Sequence, residues 1–398
     1  MVRLPEELLE ADELVLDAAD ILLDSLGDFP SLVGFDRLHR VLDKARKTAA
    51  GTGPATAGER LTLFHLDANW SALEAVARYQ FEWPRTPIEE PLAAIAGKGA
   101  LDRLEQVVAG IDQQAAWTYL ELRQSFRPGR VPPDLPDARP FLEDVTRRMT
   151  GEFRSWLRDR EGEVPGLDAE VVLAPGASAR SYYDPAMHRV VLGAGEFMVF
   201  GDRSGLRVDP VLSLYNLAHE LAGHAMQDAL SRGLPAPLRP DHRGRLRYAS
   251  LPIAEGFADH RGGLALEFAE ESGEAIGLTE RDLDFLRLVH GMGTLHHAVP
   301  ACLDALAARA RQEPRFDAVA HLAKLAGHPG FGQRVAPHAA PEPLNRVLYN
   351  AACHFGRLAV EGAAKELARR GVTGSEAVRR LGTGGWALAC YTEAVLEG

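Results

Sequence analysis

Two histidines five positions apart constrain the fold of this chain more than any other feature of its sequence. Residues 219–224 read His-Glu-Leu-Ala-Gly-His and lie in an apolar segment that predicts a helix. In a regular α-helix, four steps leave two side chains about 40° apart, whereas five steps leave them about 140° apart. Both imidazoles can therefore face one point only if the helix contains one extra residue as a bulge. We expect this bulge near Ala222 and Gly223, because glycine has no Cβ to clash with a distorted backbone.

A second predicted helix carries two acidic residues, Glu255 and Asp259, which are four positions apart and so share one helix face. Zinc binds imidazole nitrogen and carboxylate oxygen, and a catalytic zinc site uses three protein ligands. His219, His224 and Glu255 supply such a set. Asp259 is predicted to accept an N–H from a ligand histidine and thereby fix its tautomer.

Glu220 directly follows the first histidine and is the predicted general base, since it can accept a proton from a metal-activated water. Apolar residues surround both motifs, and a buried charge without a partner is costly. We therefore predict one zinc ion per chain, although manganese, iron or cobalt can use the same ligands. The alternative interpretation is that the histidines are ordinary, partly buried side chains and that the acidic pair is solvated.

The motif over residues 219–224 resembles the His-Glu-x-x-Gly-His signature of the dipeptidyl peptidase III family. That family has a later Glu-Glu-x-x-x-Glu/Asp motif, which Glu255 and Asp259 match, with Ala254 in place of the first glutamate. The wider gluzincin pattern is similar as well: a glutamate is the third zinc ligand, and a nearby aspartate supports a ligand histidine. The resemblance implies a zinc metallopeptidase.

The longer context resembles a bacterial helical zincin family of uncharacterised function. Its members carry His-Glu-x-x-Pro-Gly-His-His-Leu-Gln and a later Glu-Gly-Trp-Ala; residues 255–258 here read Glu-Gly-Phe-Ala. No proline precedes Gly223, and Ala225 replaces the second histidine of the pair. This resemblance implies a mostly helical metallopeptidase fold with a small sheet, and it does not fix the substrate.

The C-terminal stretch 343–358 is reminiscent of the same family, and it contains Tyr349 and Arg357. A hydrolytic zinc site needs a donor for the developing oxyanion. Tyr349 is the preferred donor, with three histidines as further candidates. The other candidates are His296, His297 and His354. Arg357 or Arg346 can bind a substrate carboxylate, and a solvated surface arginine is the alternative. A core tyrosine with a satisfied hydroxyl is the alternative interpretation of Tyr349.

A β-hairpin is predicted over residues 181–192, with Asp184 and Pro185 in its turn. In zincins, the strand that precedes the metal helix lines the substrate cleft, and it can pair with an extended substrate as an additional strand. The resemblance therefore makes Tyr182 and Tyr183 candidate substrate contacts. A purely structural hairpin is the alternative.

The remaining pattern predicts a mainly α protein with a small β element next to the metal helix. Apolar residues recur at helical spacing over about 4–26, 33–49, 59–81, 91–96, 100–126, 141–161, 210–230 and 252–271, and over most of 280–397. A strand is predicted over 169–173. We divide the chain into an N-terminal helical region, 1–163, and a zincin-like catalytic region, 164–398, which together form one unit.

Composition excludes several classes of partner. The net charge of −12 and the lack of a basic stripe argue against nucleic acid, and no apolar run reaches the roughly 20 residues that span a membrane. Three widely spaced cysteines, Cys302, Cys353 and Cys390, indicate inert buried thiols in a reducing compartment. Without a secretory signal pattern, the cytoplasm is the predicted location.

The sequence thus favours a zinc-dependent hydrolase, specifically a metallopeptidase acting on small peptides. One alternative keeps the site but uses the metal as a Lewis acid on a non-peptide substrate in specialised small-molecule metabolism. A second alternative is an inactive zincin-fold binding module. The presence of Glu220 argues against the module, because a structural zinc site is closed and needs no base. The oligomeric state is left open.

Overall fold

Helices form most of the chain. The computed structural model describes residues 4–24, 32–54, 56–82, 85–112, 114–116, 118–119, 138–174, 181–194, 198–202, 205–209, 211–240, 247–335 and 343–397. The helices before the first strand are α1 Glu6–Asp24, α2 Leu32–Gly51, α3 Ala57–Phe81, α4 Glu89–Ala96, α5 Ala100–Ala109 and α6 Ala138–Glu161. Most of these bounds lie within a few residues of the predicted ones.

The later helices include one continuous helix that carries both histidines, which we call the motif helix. It consists of α7 Val211–Leu217, a π-helix Ala218–Ala225 and α8 Met226–Ser231. The helices that follow are α9 Leu251–Gly262, α10 Leu264–Ser272, α11 Glu280–Gly291, α12 Gly293–Gln312, α13 Ala318–Leu325, α14 Pro329–Val335, α15 Pro343–Arg369, α16 Gly374–Gly382 and α17 Leu388–Glu397. No helix among the described residues is long and apolar enough to cross a membrane.

Two predicted helices are interrupted in the structure. The helix predicted over 100–126 breaks after Ala109, where Gly110 follows and the Asp112 side chain accepts the backbone N–H of Ala115 to begin a new turn; residues 120–126 lie outside the described residues. The helix predicted over 252–271 divides at consecutive glycines 262 and 263 into α9 and α10. Both breaks occur at glycine, which disfavours a helix interior by about 1 kcal/mol.

A three-stranded sheet packs beside the motif helix. Its strands are β1 Glu170–Ala174, β2 Tyr182–Asp184 and β3 Arg189–Gly193, in the order β1-β3-β2. The antiparallel pair β2–β3 is the predicted hairpin, and β1 pairs with β3 in parallel. A further hairpin, β4 Met198–Asp202 with β5 Gly205–Asp209, was not predicted. The observed architecture confirms the mainly α fold class with a small sheet.

Two apolar cores meet along α15. The first core joins helices α1–α5 to α12–α14 and to residues such as Val347 and Ala351 of α15. The second core joins α6, the sheet, the motif helix and α9–α11 to residues such as Val360 and Leu367 of the same helix. Helix α15 also packs closely along α9. It therefore connects the N-terminal helices with the part of the chain that carries the histidines.

Buried polar contacts fix the segment that precedes α9. Asp12 of α1 accepts hydrogen bonds from Trp70 Nε1 at 2.9 Å and from Arg247 at 2.6 Å. Asn69 of α3 donates to Ser250 Oγ at 3.0 Å, directly before α9 begins. These bonds satisfy buried polar groups that would otherwise destabilise the fold. They also hold the start of α9 against the N-terminal helices.

A buried histidine extends this network. The imidazole of His65 contacts the backbone carbonyl of Pro237 through Nε2 at 2.9 Å and accepts the N–H of Ala387 through Nδ1 at 3.0 Å. One nitrogen donates and the other accepts, as in a neutral imidazole. Burial lowers the pKa of His65 to about 4.

Candidate metal centre

The predicted bulge is present in the motif helix. A π-helix spans Ala218–Ala225, between two α-helical segments. Its i→i+5 hydrogen bonds widen the helix by about one residue per turn, so side chains five positions apart return to the same side. The rings of His219 and His224 lie 4.9 Å apart between centroids and are nearly perpendicular. The histidines therefore converge, as the bulge prediction requires.

Glu255 of α9 faces both histidines. Its Oε2 atom lies 3.7 Å from His219 Nε2 and 3.8 Å from His224 Nε2. These separations exceed a normal hydrogen bond. They are within a few tenths of an ångström of the roughly 3.3–3.6 Å between two donors that share a tetrahedral zinc ion at about 2.0–2.2 Å. The donor set fits a zinc ion in both chemistry and spacing.

Glu220 lies next to these donors and is also buried. One of its carboxylate oxygens lies within 4.8 Å of ring nitrogens of both His219 and His224. Two carboxylates are therefore close enough to complete the set. Glu255 is the better placed of the two for the predicted ligand role, because its oxygen is nearly equidistant from the two Nε2 atoms. Glu220 then lies beside the predicted ligands, and its role as general base stays a prediction.

Asp259 orients the first histidine. Its Oδ1 lies 3.1 Å from His219 Nδ1, which leaves Nε2 of the same ring directed toward Glu255. Burial opposes the charged form of His219, but the Asp259 contact and the nearby carboxylates raise the pKa of His219 to about 9. A metal must therefore displace a proton from this ring at neutral pH. This is the arrangement that the sequence predicted for Asp259.

Helices α12 and α15 add three further side chains. Tyr349 donates a hydrogen bond from its hydroxyl to Glu255 Oε2 at 3.1 Å, and 43% of this residue is exposed. Cys353 Sγ lies 3.9 Å from the same oxygen. His297 Nε2 lies 3.2 Å from Asp259 Oδ2. The centre is thus built from the motif helix, α9, α12 and α15.

The charges of these groups are strongly coupled. Although burial raises the pKa of Asp259, His297 and His219 hold it far below its ordinary value. Burial raises the pKa of Glu255 and that of the Cys353 thiol, with nearby carboxylates adding to the effect on the thiol. Free Cys353 therefore keeps its proton at neutral pH, and it is not an activated nucleophile.

The sequence predicted Tyr349 as the preferred oxyanion donor and His297 as one of several further candidates. It predicted Cys353 as an inert buried thiol. Cys353 is indeed a buried free thiol, but it lies at the centre and not in a remote part of the core. One available signal was its spacing of four residues from Tyr349, which places both on one face of α15. No local pattern linked His297 to Asp259, because they belong to different helices.

The predicted substrate contacts lie in three different environments. Tyr182 is exposed on the edge strand β2, where its role in substrate binding stays a prediction. Tyr183 turns into the core, and its hydroxyl donates to Asp228 of the motif helix at 3.0 Å. It therefore joins the sheet to that helix, and its role in substrate binding likewise stays a prediction. Arg357 pairs with Glu361 at 2.8 Å.

The helices that carry the centre approach one another closely. A Cβ added at Gly256 of α9 would lie 2.1 Å from the carbonyl carbon of Gly356 in α15. A Cβ added at Gly356 would lie 1.6 Å from the carbonyl oxygen of Pro252. Only glycine at both positions allows this backbone contact. The close approach brings Tyr349 and Cys353 to Glu255.

Comparisons with known proteins give little guidance. No family model matches the chain, and no curated protein matches it. Among solved structures, the chain is similar to the crystal structure of the "putative lipoprotein" from Colwellia psychrerythraea. That similarity has a TM-score of 0.47 at 13% identity, and it covers 98% of this chain and 74% of the other. A likeness this weak assigns neither a family nor a function.

Proposed function

We propose that this protein is a zinc-dependent hydrolase and that it acts as a metallopeptidase on small peptides. The observation that supports this best is the convergence of His219, His224 and Glu255 on one point, with Glu220 beside them. Three protein ligands leave a zinc ion one open position, which distinguishes a catalytic site from a structural one. The resemblance of the motif to gluzincin peptidases agrees with this arrangement.

Each of the surrounding residues has a defined role in hydrolysis. A bound zinc ion supplies a Lewis acid and lowers the pKa of a water molecule. Glu220 accepts the proton of the attacking water and passes it to the leaving amine. Asp259 would keep the proton of His219 on Nδ1, which would leave the Nε2 lone pair available to hold zinc. Tyr349, half-exposed at the centre, donates a hydrogen bond to the developing oxyanion.

Two matched glutamate variants test this assignment. Glu220→Gln should keep the zinc ion at this centre and lower kcat on a peptide library by about 100-fold or more, because the amide cannot accept the proton. Glu255→Gln should bind zinc at this centre much more weakly, because it removes a charged ligand. Glu267→Gln, an exposed glutamate of α10, is the control and should change neither quantity.

The results separate the alternatives. Zinc bound without peptide cleavage in the unmodified protein would favour a non-peptide substrate or a binding module, and in that case a screen of small esters, amides and other electrophiles follows. Unmodified protein that binds no zinc would refute the proposal outright. Loss of zinc in Glu220→Gln with retention in Glu255→Gln would exchange the two roles.

The proposed substrates are small peptides or small molecules, with neither nucleic acid nor membrane as a partner. The cytoplasm remains the proposed location. All three cysteines are buried and free, which agrees with a reducing compartment.

A further inference from the structure

A second group of metal-binding side chains lies directly beside the first. Asp259 of α9, His297 of α12 and Cys353 of α15 offer a carboxylate oxygen, an imidazole nitrogen and a thiol sulfur, all within 4.8 Å of one another. Asp259 and Cys353 are buried, and only 15% of the His297 side chain is exposed. Three helices that are distant in sequence thus direct three different ligand types to one point.

The two oxygens of Asp259 face different groups. Oδ1 lies 3.1 Å from His219, whereas Oδ2 lies 3.2 Å from His297 Nε2. Two donors that share an ion at about 2.0–2.2 Å lie roughly 3.3–3.6 Å apart, so Oδ2 and Nε2 are spaced closely enough to share one. The support that Asp259 gives to His219 is therefore compatible with coordination through its other oxygen.

Charge balance favours a second cation. Glu220, Glu255 and Asp259 bring three carboxylates together; Glu220 and Asp259 are buried, and only 12% of the Glu255 side chain is exposed. One divalent ion neutralises only two of them. A second divalent ion would displace the proton of the Cys353 thiol to solvent, since a coordinating thiol is deprotonated. The thiolate and the third carboxylate together would neutralise that ion.

We propose that Asp259, His297 and Cys353 form a second divalent-cation site, adjacent to the first. Imidazole and thiolate ligands select zinc or a similar transition metal over magnesium or calcium. Three protein ligands again leave an open position. Paired metal ions of this kind provide two Lewis acids in several hydrolases. Of these three side chains, only Asp259 has a role in the proposed function, as the support of His219.

Cobalt titration of the full-length protein, stripped of metal with a chelator, tests the second site. Two equivalents of Co²⁺ should bind, and one should produce the near-ultraviolet absorption of a sulfur-to-cobalt charge-transfer transition. Cys353→Ser and His297→Ala should each bind one equivalent, and Cys353→Ser should lack that absorption. Cys302→Ser, a buried thiol of the first core, is the matched control and should behave like the unmodified protein.

Circular dichroism and thermal unfolding of each variant establish that it is folded, and His297→Ala on α12 provides a test independent of the cysteine. His224→Ala distinguishes the two sites. This variant should bind one equivalent of Co²⁺ fewer than the unmodified protein and should keep the sulfur-to-cobalt absorption. One equivalent in the unmodified protein, without the absorption and abolished by His224→Ala, would overturn the second site and leave the proposed function intact. If the unmodified protein binds one equivalent of Co²⁺ that shows the absorption, and His224→Ala still binds that equivalent, the second site is supported and the first is refuted.

Discussion

Replacing Gly223 by alanine should separate the motif helix from α9. A Cβ at this position would lie 2.5 Å from Ala258 Cα and 2.7 Å from Ala258 Cβ. Carbon atoms pack best at about 3.5–4.0 Å, so the two helices must move apart by about 1 Å. The sequence indicated that glycine was needed here to ease the bulge, whereas the structure shows that it is needed for this contact.

The expected loss of stability is modest. Overpacking of this kind lowers the free energy of unfolding by about 1–3 kcal/mol. The higher helix propensity of alanine offsets about 1 kcal/mol of that loss. The free energy of unfolding of the metal-free protein should therefore fall by about 0–2 kcal/mol.

The effect on metal binding should be larger. Gly223 immediately precedes His224, so the shift moves a ligand on the motif helix away from Glu255 on α9. Metal–ligand distances tolerate only about 0.2 Å. We expect the zinc affinity to fall at least as far as it does when an outer-shell partner is lost, by about 10–100-fold.

Competition with a fluorescent chelator measures the zinc affinity, and urea unfolding measures the stability. Gly362→Ala in α15 is the control, because a Cβ there meets no atom within 4 Å. This control should gain about 0.5–1 kcal/mol and bind zinc normally. An unchanged zinc affinity in Gly223→Ala would refute the argument that this contact sets the position of His224.

Three further predictions concern groups around the centre and in the core. Asp259→Asn weakens the contact with His219 Nδ1 and should lower the zinc affinity by about 10–100-fold in the same competition assay. Asp12→Ala leaves Arg247 buried and unpaired, and urea unfolding should show a loss of about 3–5 kcal/mol. The folded pKa of His65, about 4, is below its ordinary value of 6.5, so its neutral form stabilises the fold. That contribution, about 3 kcal/mol, is complete above pH 6.5 and is lost as the pH falls toward 4. Urea unfolding across this range should show the decline, and in His65→Gln the decline should be smaller.

The sequence by itself determined the local part of the candidate site. Two histidines five residues apart required a bulged helix, because side-chain direction follows from helical rotation alone. The spacing of Glu255 and Asp259 placed both on one face of α9 for the same reason. The aromatic and β-branched residues on either side of the turn at Asp184 and Pro185 likewise predicted the β2–β3 hairpin.

The tertiary structure alone decided which distant helices complete the centre. His297 and Cys353 lie 38 and 94 positions beyond Asp259, and no local periodicity links them. Their convergence depends on the glycine contact between α9 and α15 and on the packing of α12 against α15. Such contacts follow from the complementary shapes of whole helix surfaces. The sequence therefore determined how each helix presents its own ligands, and the packing of the helices decided which ligands meet.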